Sequence, residues 1–364
     1  MFHPSMQQSA RNAMQSPLLQ EFHADRMRNW ELRDIFNHIV EFSGDQHGSR
    51  LIQHRLESAS SEEKQKVYEE IVPHNVLQLT QDVFGNSKIV PTWTQVHKSG
   101  LAAELEGHYF ALSKQMYGCR VVQKAIEYIL PEQQASIVRE LEPHVMECIQ
   151  DGNGSHVIQK IIERVSPERL GFVQTFRGNV QILATHTSGC RVLSFAFEYL
   201  PEPFTAPLIE ELHVNTHMLF QDQYGNYVMQ FVSEHGKPQD SSAVILQLRG
   251  HLLAMARHKY ASNVCEKALK FADADTRRQL IDEILTPRPE GAVVLSMMKD
   301  QFANYVLQRA VVLAEADQRE ALINQIRPQL AILRRISTGY SKHLVSIEKL
   351  LQEYSPPQSA ITHS

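Results

Sequence analysis

A nine-residue string recurs along this chain, and its spacing restricts the fold more than any other feature. Asp222-Gln-Tyr-Gly-Asn-Tyr-Val-Met-Gln230 and Asp300-Gln-Phe-Ala-Asn-Tyr-Val-Leu-Gln308 are near copies. Looser copies begin at Asp45, Gln115, Asp151, Thr185 and His258, and a broken one at Asp82. The shared Gly or Ala falls at positions 48, 85, 118, 154, 189, 225, 261 and 303. A period near 36 over most of 364 residues means stacked repeats, each unable to bury its apolar face alone.

Inside each copy the pattern is helical. Count the residue after the Gly or Ala as +0. At about 100° per residue, positions +0, +1, +4, +5 and +8 share one arc, while +2, +3, +6 and +7 share the other. In the fourth copy the first arc is Ser155, His156, Gln159, Lys160 and Glu163; the second is Val157, Ile158, Ile161 and Ile162. Each copy therefore predicts an amphipathic helix with a polar front. Positions +0 and +4 are one turn apart and can grip one object together. The pairs are Ser49/Gln53, Cys119/Gln123, Ser155/Gln159, Cys190/Ser194, Asn226/Gln230, Ser262/Glu266 and Asn304/Gln308, with Asn86 alone in the broken copy. Most are hydrogen-bonding pairs suited to base edges. Position +1 is flat or long in most copies, a stacking platform for nucleobases: Arg50, Arg120, His156, Arg191, Tyr227 and Tyr305, with Asn263 in the seventh. Lys124, Lys160, Lys267 and Arg309 at +5 share the readers' face and are candidate phosphate contacts.

From about Leu32 to Leu351 the chain resembles a Pumilio-type (PUF) RNA-binding domain. The motifs Asn-Tyr-x-x-Gln, Ser-Asn-x-x-Glu and Cys-Arg-x-x-Gln occur in that family's order. The resemblance implies an all-α fold: a right-handed α-solenoid, a superhelical crescent, of eight three-helix repeats of about 36 residues, with capping helices at both ends. The repeats are expected at about 32–68, 69–103, 104–139, 140–174, 175–210, 211–246, 247–291 and 292–327. Residues 17–31 would form the N-terminal cap and 328–352 the C-terminal cap, leaving 1–16 disordered and 353–364 as a tail. Repeat two departs from the pattern. Ser87-Lys-Ile-Val90 replaces the reader sequence, and Pro91 falls where helix should continue, which costs about 3 kcal/mol or more. Either this repeat is degenerate, or about 87–99 comes from a wrong splice junction.

The readers suggest a base order. A carboxylate only accepts hydrogen bonds, so Ser262/Glu266 suits the two adjacent donors of guanine. The amides Asn226/Gln230 and Asn304/Gln308 each offer donor and acceptor, matching uracil. Gln beside a small partner suits adenine. The resemblance supplies an antiparallel RNA, its 5′ base on repeat eight. The expectation is 5′-UGUAAANA, with repeat five weakened by the short Ser194 and repeat two unreadable. The resemblance also implies repression of translation or mRNA decay, through deadenylase or repressor factors on the convex face or at the Thr286–Gly291 loop. The rival reading is a protein-binding scaffold of armadillo or HEAT type.

Composition fits either reading. A formal charge of −5 argues against nucleic acid only if charge is spread evenly, and distribution decides. Cys119, Cys148, Cys190 and Cys265 show no zinc spacing, and reduced thiols are expected. The start of the chain lacks the apolar core of a signal peptide, and no run approaches the ~20 apolar residues of a membrane span. The expectation is a cytoplasmic monomer with no metal, no cofactor and no catalytic constellation.

Overall fold

The string nucleates a helix because its first residue fixes a turn and its fourth lacks bulk. The computed structural model describes residues 15–25, 27–80, 93–287, 292–336 and 342–354. In it, Asp151 Oδ1 accepts the backbone N–H of Asn153 and of Gly154, both at 2.8 Å. Asp45, Asp222 and Asp300 hold the same two amides in their repeats. In repeats five and seven an imidazole does this instead: His186 Nδ1 and His258 Nδ1 accept from the residues two and three further on, at 3.2–3.4 Å. These bonds satisfy amides that a helix N-terminus would otherwise leave open. The glycine follows from close approach. A Cβ on Gly154 would sit 2.6 Å from the Cys148 carbonyl oxygen of the preceding helix, and one on Gly189 2.5 Å from that of Leu183. Repeats seven and eight accommodate Ala261 and Ala303 at this position, both fully buried.

The reader helices that result are Gln46–Ser58, Gly118–Tyr128, Gly154–Arg164, Gly189–Tyr199, Gly225–His235, Ala261–Phe271 and Ala303–Leu313. A short first helix precedes each, such as Tyr109–Ser113 or Leu252–Ala256, and most are followed by a longer third helix, such as Pro131–Leu141 or Ala274–Leu285. In repeat four the third element is 3-10 turns, Pro167–Arg169 and Gly171–Phe176. All regular structure among the described residues is helical. Two compact units divide the chain, residues 1–173 and 174–364. In the first, reader helix Gly118–Tyr128 packs on Gly154–Arg164; in the second, the four reader helices pack each on the next. Their apolar arcs make the core. Val157, Ile158, Ile161 and Ile162 are buried, as are Val228, Met229 and Val232, and Val306, Leu307, Ala310 and Val311.

The third helix closes its repeat at both ends. Glu140 accepts the amides of Gly107 (2.8 Å) and Phe110 (3.1 Å), 33 and 30 residues earlier, and so caps the first helix of its own repeat. Glu70 does the same for Asn37 and Ile39, Glu211 for Gly178 and Val180, and Glu283 for Gly250. Each clasped loop turns through positive φ, at Asn37 (67°), Gly107 (81°), Gly178 (74°) and Gly250 (78°), where glycine is unstrained. These are repeats one, three, five and seven. Repeats two, four and six are entered with little or no break. Helix Ser61–Thr80 runs through the expected 68/69 boundary, and Pro131–Leu141 passes through the turn Glu142–His144 into Val145–Gln150. Helix Ala316–Ile336 likewise crosses the expected 327/328 boundary with Pro328 inside it.

The chain ends behave as the pattern predicts. Helix Pro17–Ala24 buries Leu19 and Phe22, and Phe22 meets Phe42 and Trp30 edge-on or tilted. Lys342–Glu353 packs on the last repeat and buries Ile347 and Leu351. Helix Ser61–Thr80 opens with Ser60 and Glu63 bonding reciprocally in a capping box. The expectations for residues 1–14, for the repeat-two reader with Asn86, Val90 and Pro91, and for 288–291 and 355–364 lie outside the described residues.

Candidate nucleic-acid interface

The front of each reader helix differs from the helical wheel at one position. The wheel puts +0 on the polar front, but Ser49, Cys119, Ser155, Cys190, Asn226, Ser262 and Asn304 are all buried. They sit in the first turn, against the preceding short helix, and spend their donors on that turn. Ser155 Oγ donates to the Gly152 carbonyl (3.2 Å) and Ser49 to Gln46 (3.2 Å). Cys119 and Cys190 make the same contact through sulfur, and Ser262 through its hydroxyl. What +0 offers a base is therefore a lone pair at the floor of the site.

The +4 side chains stand above that floor. Gln53, Gln123, Ser194, Gln230, Glu266 and Gln308 are half-buried, and Gln159 is buried. In repeats six and eight the pair is prelocked. Asn226 Nδ2 donates to the Asp222 carbonyl (2.8 Å), and Gln230 Nε2 donates to Asn226 Oδ1 (2.8 Å). Asn304 and Gln308 repeat this at 2.9 and 3.0 Å. Each glutamine keeps its oxygen and one N–H for a base edge. In repeat three, Gln123 Nε2 instead donates to the Cys119 carbonyl (3.0 Å). In repeat five, Ser194 Oγ bonds its own helix at the Cys190 carbonyl (3.1 Å), so its donor turns back toward the backbone.

Position +1 is the outermost. Tyr227 and Tyr305 are 61% and 55% exposed, unusual for an aromatic that serves only packing. Arg50, Arg120, Arg191 and Asn263 are exposed as well, and His156 is half-buried. Each described reader helix thus has a buried small or amide group, a reaching polar group, and a side chain that projects.

Electrostatics set repeat seven apart. Glu266 is the only acid at +4, and burial pushes its carboxyl above the ordinary carboxylate range, against the lowering effect of Arg309. Arg309, a predicted phosphate contact, lies 3.6 Å from Glu266 across the repeat junction. The other +5 cations are also engaged. Lys124 bonds Glu127 (2.7 Å), Lys160 bonds Glu163 (2.6 Å), and Lys267 bonds Glu234 of the preceding repeat. Repeats five and six carry Phe195 and Phe231 at +5, stacked on Tyr199 and His235. The +5 row is thus four paired cations and two aromatics, with His54 in repeat one. The helical wheel places +8 on this front without revealing its acids as partners of the +5 cations, although the charge alternation from +5 to +8 in Lys124/Glu127 and Lys160/Glu163 points to it.

The four cysteines sit where the reactive thiolate is disfavoured. All four are buried and free, and burial raises every thiol, Cys148 to about 12. No helix among the described residues is long and apolar enough to cross a membrane.

Comparison with known proteins identifies the repeat. The model of the Pumilio-family RNA binding repeat matches residues 38–72, 108–142, 144–171, 179–213, 221–248, 251–285 and 294–327. Those seven matches correspond to expected repeats one and three to eight. Pumilio homolog 1 of Xenopus laevis is 52% identical over 182 residues, covering 48% of this chain and 15% of that protein. Two further relatives, the putative pumilio homologs 7 and 8 of Arabidopsis thaliana, are matched over 40% and 51% of their lengths, so this chain spans about half or less of them. Among solved structures, the Puf3 RNA binding domain bound to a Cox17 RNA 3′ UTR recognition sequence superposes with a TM-score of 0.85. It is 34% identical and covers 93% of this chain and 100% of that one. PUF-8 in complex with PBE-RNA gives a TM-score of 0.83 at 33% identity, covering 93% and 99%.

Proposed function

Because the chain belongs to the Pumilio family of RNA-binding repeat proteins, we propose that it binds single-stranded mRNA, reading one base per repeat. The observation that carries this is the three-part front, repeated in all seven described reader helices. A buried +0 group and a reaching +4 group address the base edge, and a +1 side chain, exposed in six of the helices and half-buried at His156, stacks on its face.

Ser262/Glu266 takes guanine. The carboxylate accepts from N1–H and N2–H₂, and the Ser262 floor adds no competing donor, because its hydroxyl is committed to the Lys259 carbonyl. The prelocked amides of repeats six and eight take uracil: glutamine Oε1 receives N3–H and its remaining N–H reaches a flanking carbonyl. Ser155/Gln159, Cys119/Gln123 and Ser49/Gln53 take adenine, and Cys190/Ser194 takes adenine more weakly. With repeat eight on the 5′ base, the element is 5′-UGUAAANA. The 3′ UTR sequence in the Puf3 complex and the description of fission-yeast puf3 as an mRNA-binding protein support this substrate class.

The protein acts by occupancy, as a monomer in the cytoplasm. It recruits deadenylase or translational repressor factors, and so lowers translation or shortens transcript lifetime. Selection from a randomised RNA pool tests the reading. A UGU core followed by adenines is expected, and a selected pool without UGU refutes it.

A further inference from the structure

The +8 position lies between the readers and the +5 side chains on the helix front, and its composition is uneven. Glu57, Glu127, Glu163, Glu198 and Glu234 occupy it in repeats one, three, four, five and six. Repeats seven and eight have Lys270 and Val312 instead. Three of these acids hold the groove's lysines. Glu127 and Glu163 pair with Lys124 and Lys160 on their own helices, and Glu234 pairs with Lys267 of the next repeat. The pairs are partly sheltered, with both side chains of Lys160–Glu163 22% exposed. In each of these three acids the hydrogen bond to lysine is the largest influence and lowers its pKa, keeping it ionised. Lys160 and Arg164 of repeat four also bear on Glu127 of repeat three. The charge is thus laddered along the first unit rather than confined to isolated pairs.

A protein that binds polyanions through lysines gains affinity for any sequence. Here those lysines are held by carboxylates, and in repeats one, five and six the +8 acid has no lysine or arginine at +5 on its own helix, Glu234 taking its lysine from the next repeat. We propose that the +8 glutamates are specificity determinants. They neutralise the groove's cations, so that the phosphate backbone earns little affinity and the base readers decide what binds. The lysines then position the acids rather than the RNA. This inference rests on the RNA-binding reading above. It assigns the acids a role separate from base contact, since none is at +0, +1 or +4.

The test compares wild type with the triple variant E127Q/E163Q/E234Q and the single variant E163Q, each isosteric and each checked for folding by circular dichroism. Anisotropy is measured with UGUAAAUA and with ACAAAAUA across a salt series. Three freed lysines should steepen the logarithmic salt dependence by about 2, at about 0.7 per cation on a single strand. The ACA oligomer should gain at least about tenfold in affinity at low salt, with UGU gaining less, so that selectivity falls; E163Q should show about a third of the slope change. Unchanged slope and selectivity in a folded triple variant, with wild type still selective, overturns this inference and leaves the RNA reading intact. Wild type that does not discriminate between the oligomers overturns both, since no selectivity then exists to protect.

Discussion

Glu266→Gln tests the base assignment at its sharpest point. The carboxylate can accept both Watson–Crick donors of guanine, and its half-buried setting lets little water compete. A hydrogen bond to a charged partner is worth about 1.5–3 kcal/mol. The glutamine amide keeps one acceptor and turns a donor toward a donor. The loss should therefore be at least one such bond, a roughly 10- to 150-fold weaker affinity for UGUAAAUA. With glutamine in place of Glu266, the pair with Ser262 would reproduce the chemistry of Ser155/Gln159, so UAUAAAUA should become the better ligand. Stability should not follow affinity. A carboxyl whose folded-state pKa is raised, as that of Glu266 is by burial, adds stability that is complete below its unfolded pKa and lost as pH rises through the folded value. At neutral pH that contribution is gone, and the glutamine variant should melt within about 2 °C of wild type. The same shift sets a pH signature: as pH falls through the raised carboxyl pKa, wild type should lose its preference for guanine at the second base while the variant's profile stays flat. Anisotropy with the two oligomers across a pH series descending from 7.5 measures the affinities, and thermal melting followed by circular dichroism measures the stability. A variant that keeps its preference for UGU over UAU within threefold refutes the assignment.

Other expectations concern stacking and the repeat scaffold. Tyr305→Ala should weaken binding by about 1–3 kcal/mol through lost stacking with an unchanged melting temperature, since the ring is 55% exposed; an equal loss of both would make it a packing residue. Gly154→Ala places a Cβ 2.6 Å from the Cys148 carbonyl oxygen and should destabilise by about 1–3 kcal/mol, read in urea unfolding. Ala303→Gly at the equivalent site should cost about 1 kcal/mol or less, as a helix-propensity effect. Glu140→Ala removes both acceptors from the amides of Gly107 and Phe110 and should cost about 1–2 kcal/mol, with faster hydrogen exchange at Tyr109–Ser113.

The repeat and the helix it forms were legible because a 36-residue period and a helical period are both properties of sequence order. The apolar set Val157, Ile158, Ile161 and Ile162 needed only its spacing to be placed in the core. What the wheel misassigned was +0. A wheel describes an isolated helix, and Ser155 is buried where the preceding short helix comes so close that a Cβ on Gly154 would sit 2.6 Å from its Cys148 carbonyl oxygen. The alternation between clasped and run-on junctions was also hidden. The clasp joins Gly107 to Glu140 over 33 residues, and no local pattern marks that glutamate among the others on its helix. The +5 lysines looked free because their partners lie three residues on or, for Lys267, in the previous repeat.

Fluorescence anisotropy with labelled UGUAAAUA, beside the same oligomer with UGU changed to ACA, tests the central claim most directly. The account predicts tight binding to the first and a loss of at least tenfold, about 1.4 kcal/mol, for the second, because repeats six to eight read those three bases through Gln230, Glu266 and Gln308. Equal affinity for the two oligomers, or binding to neither by a protein that circular dichroism shows to be helical, would contradict it.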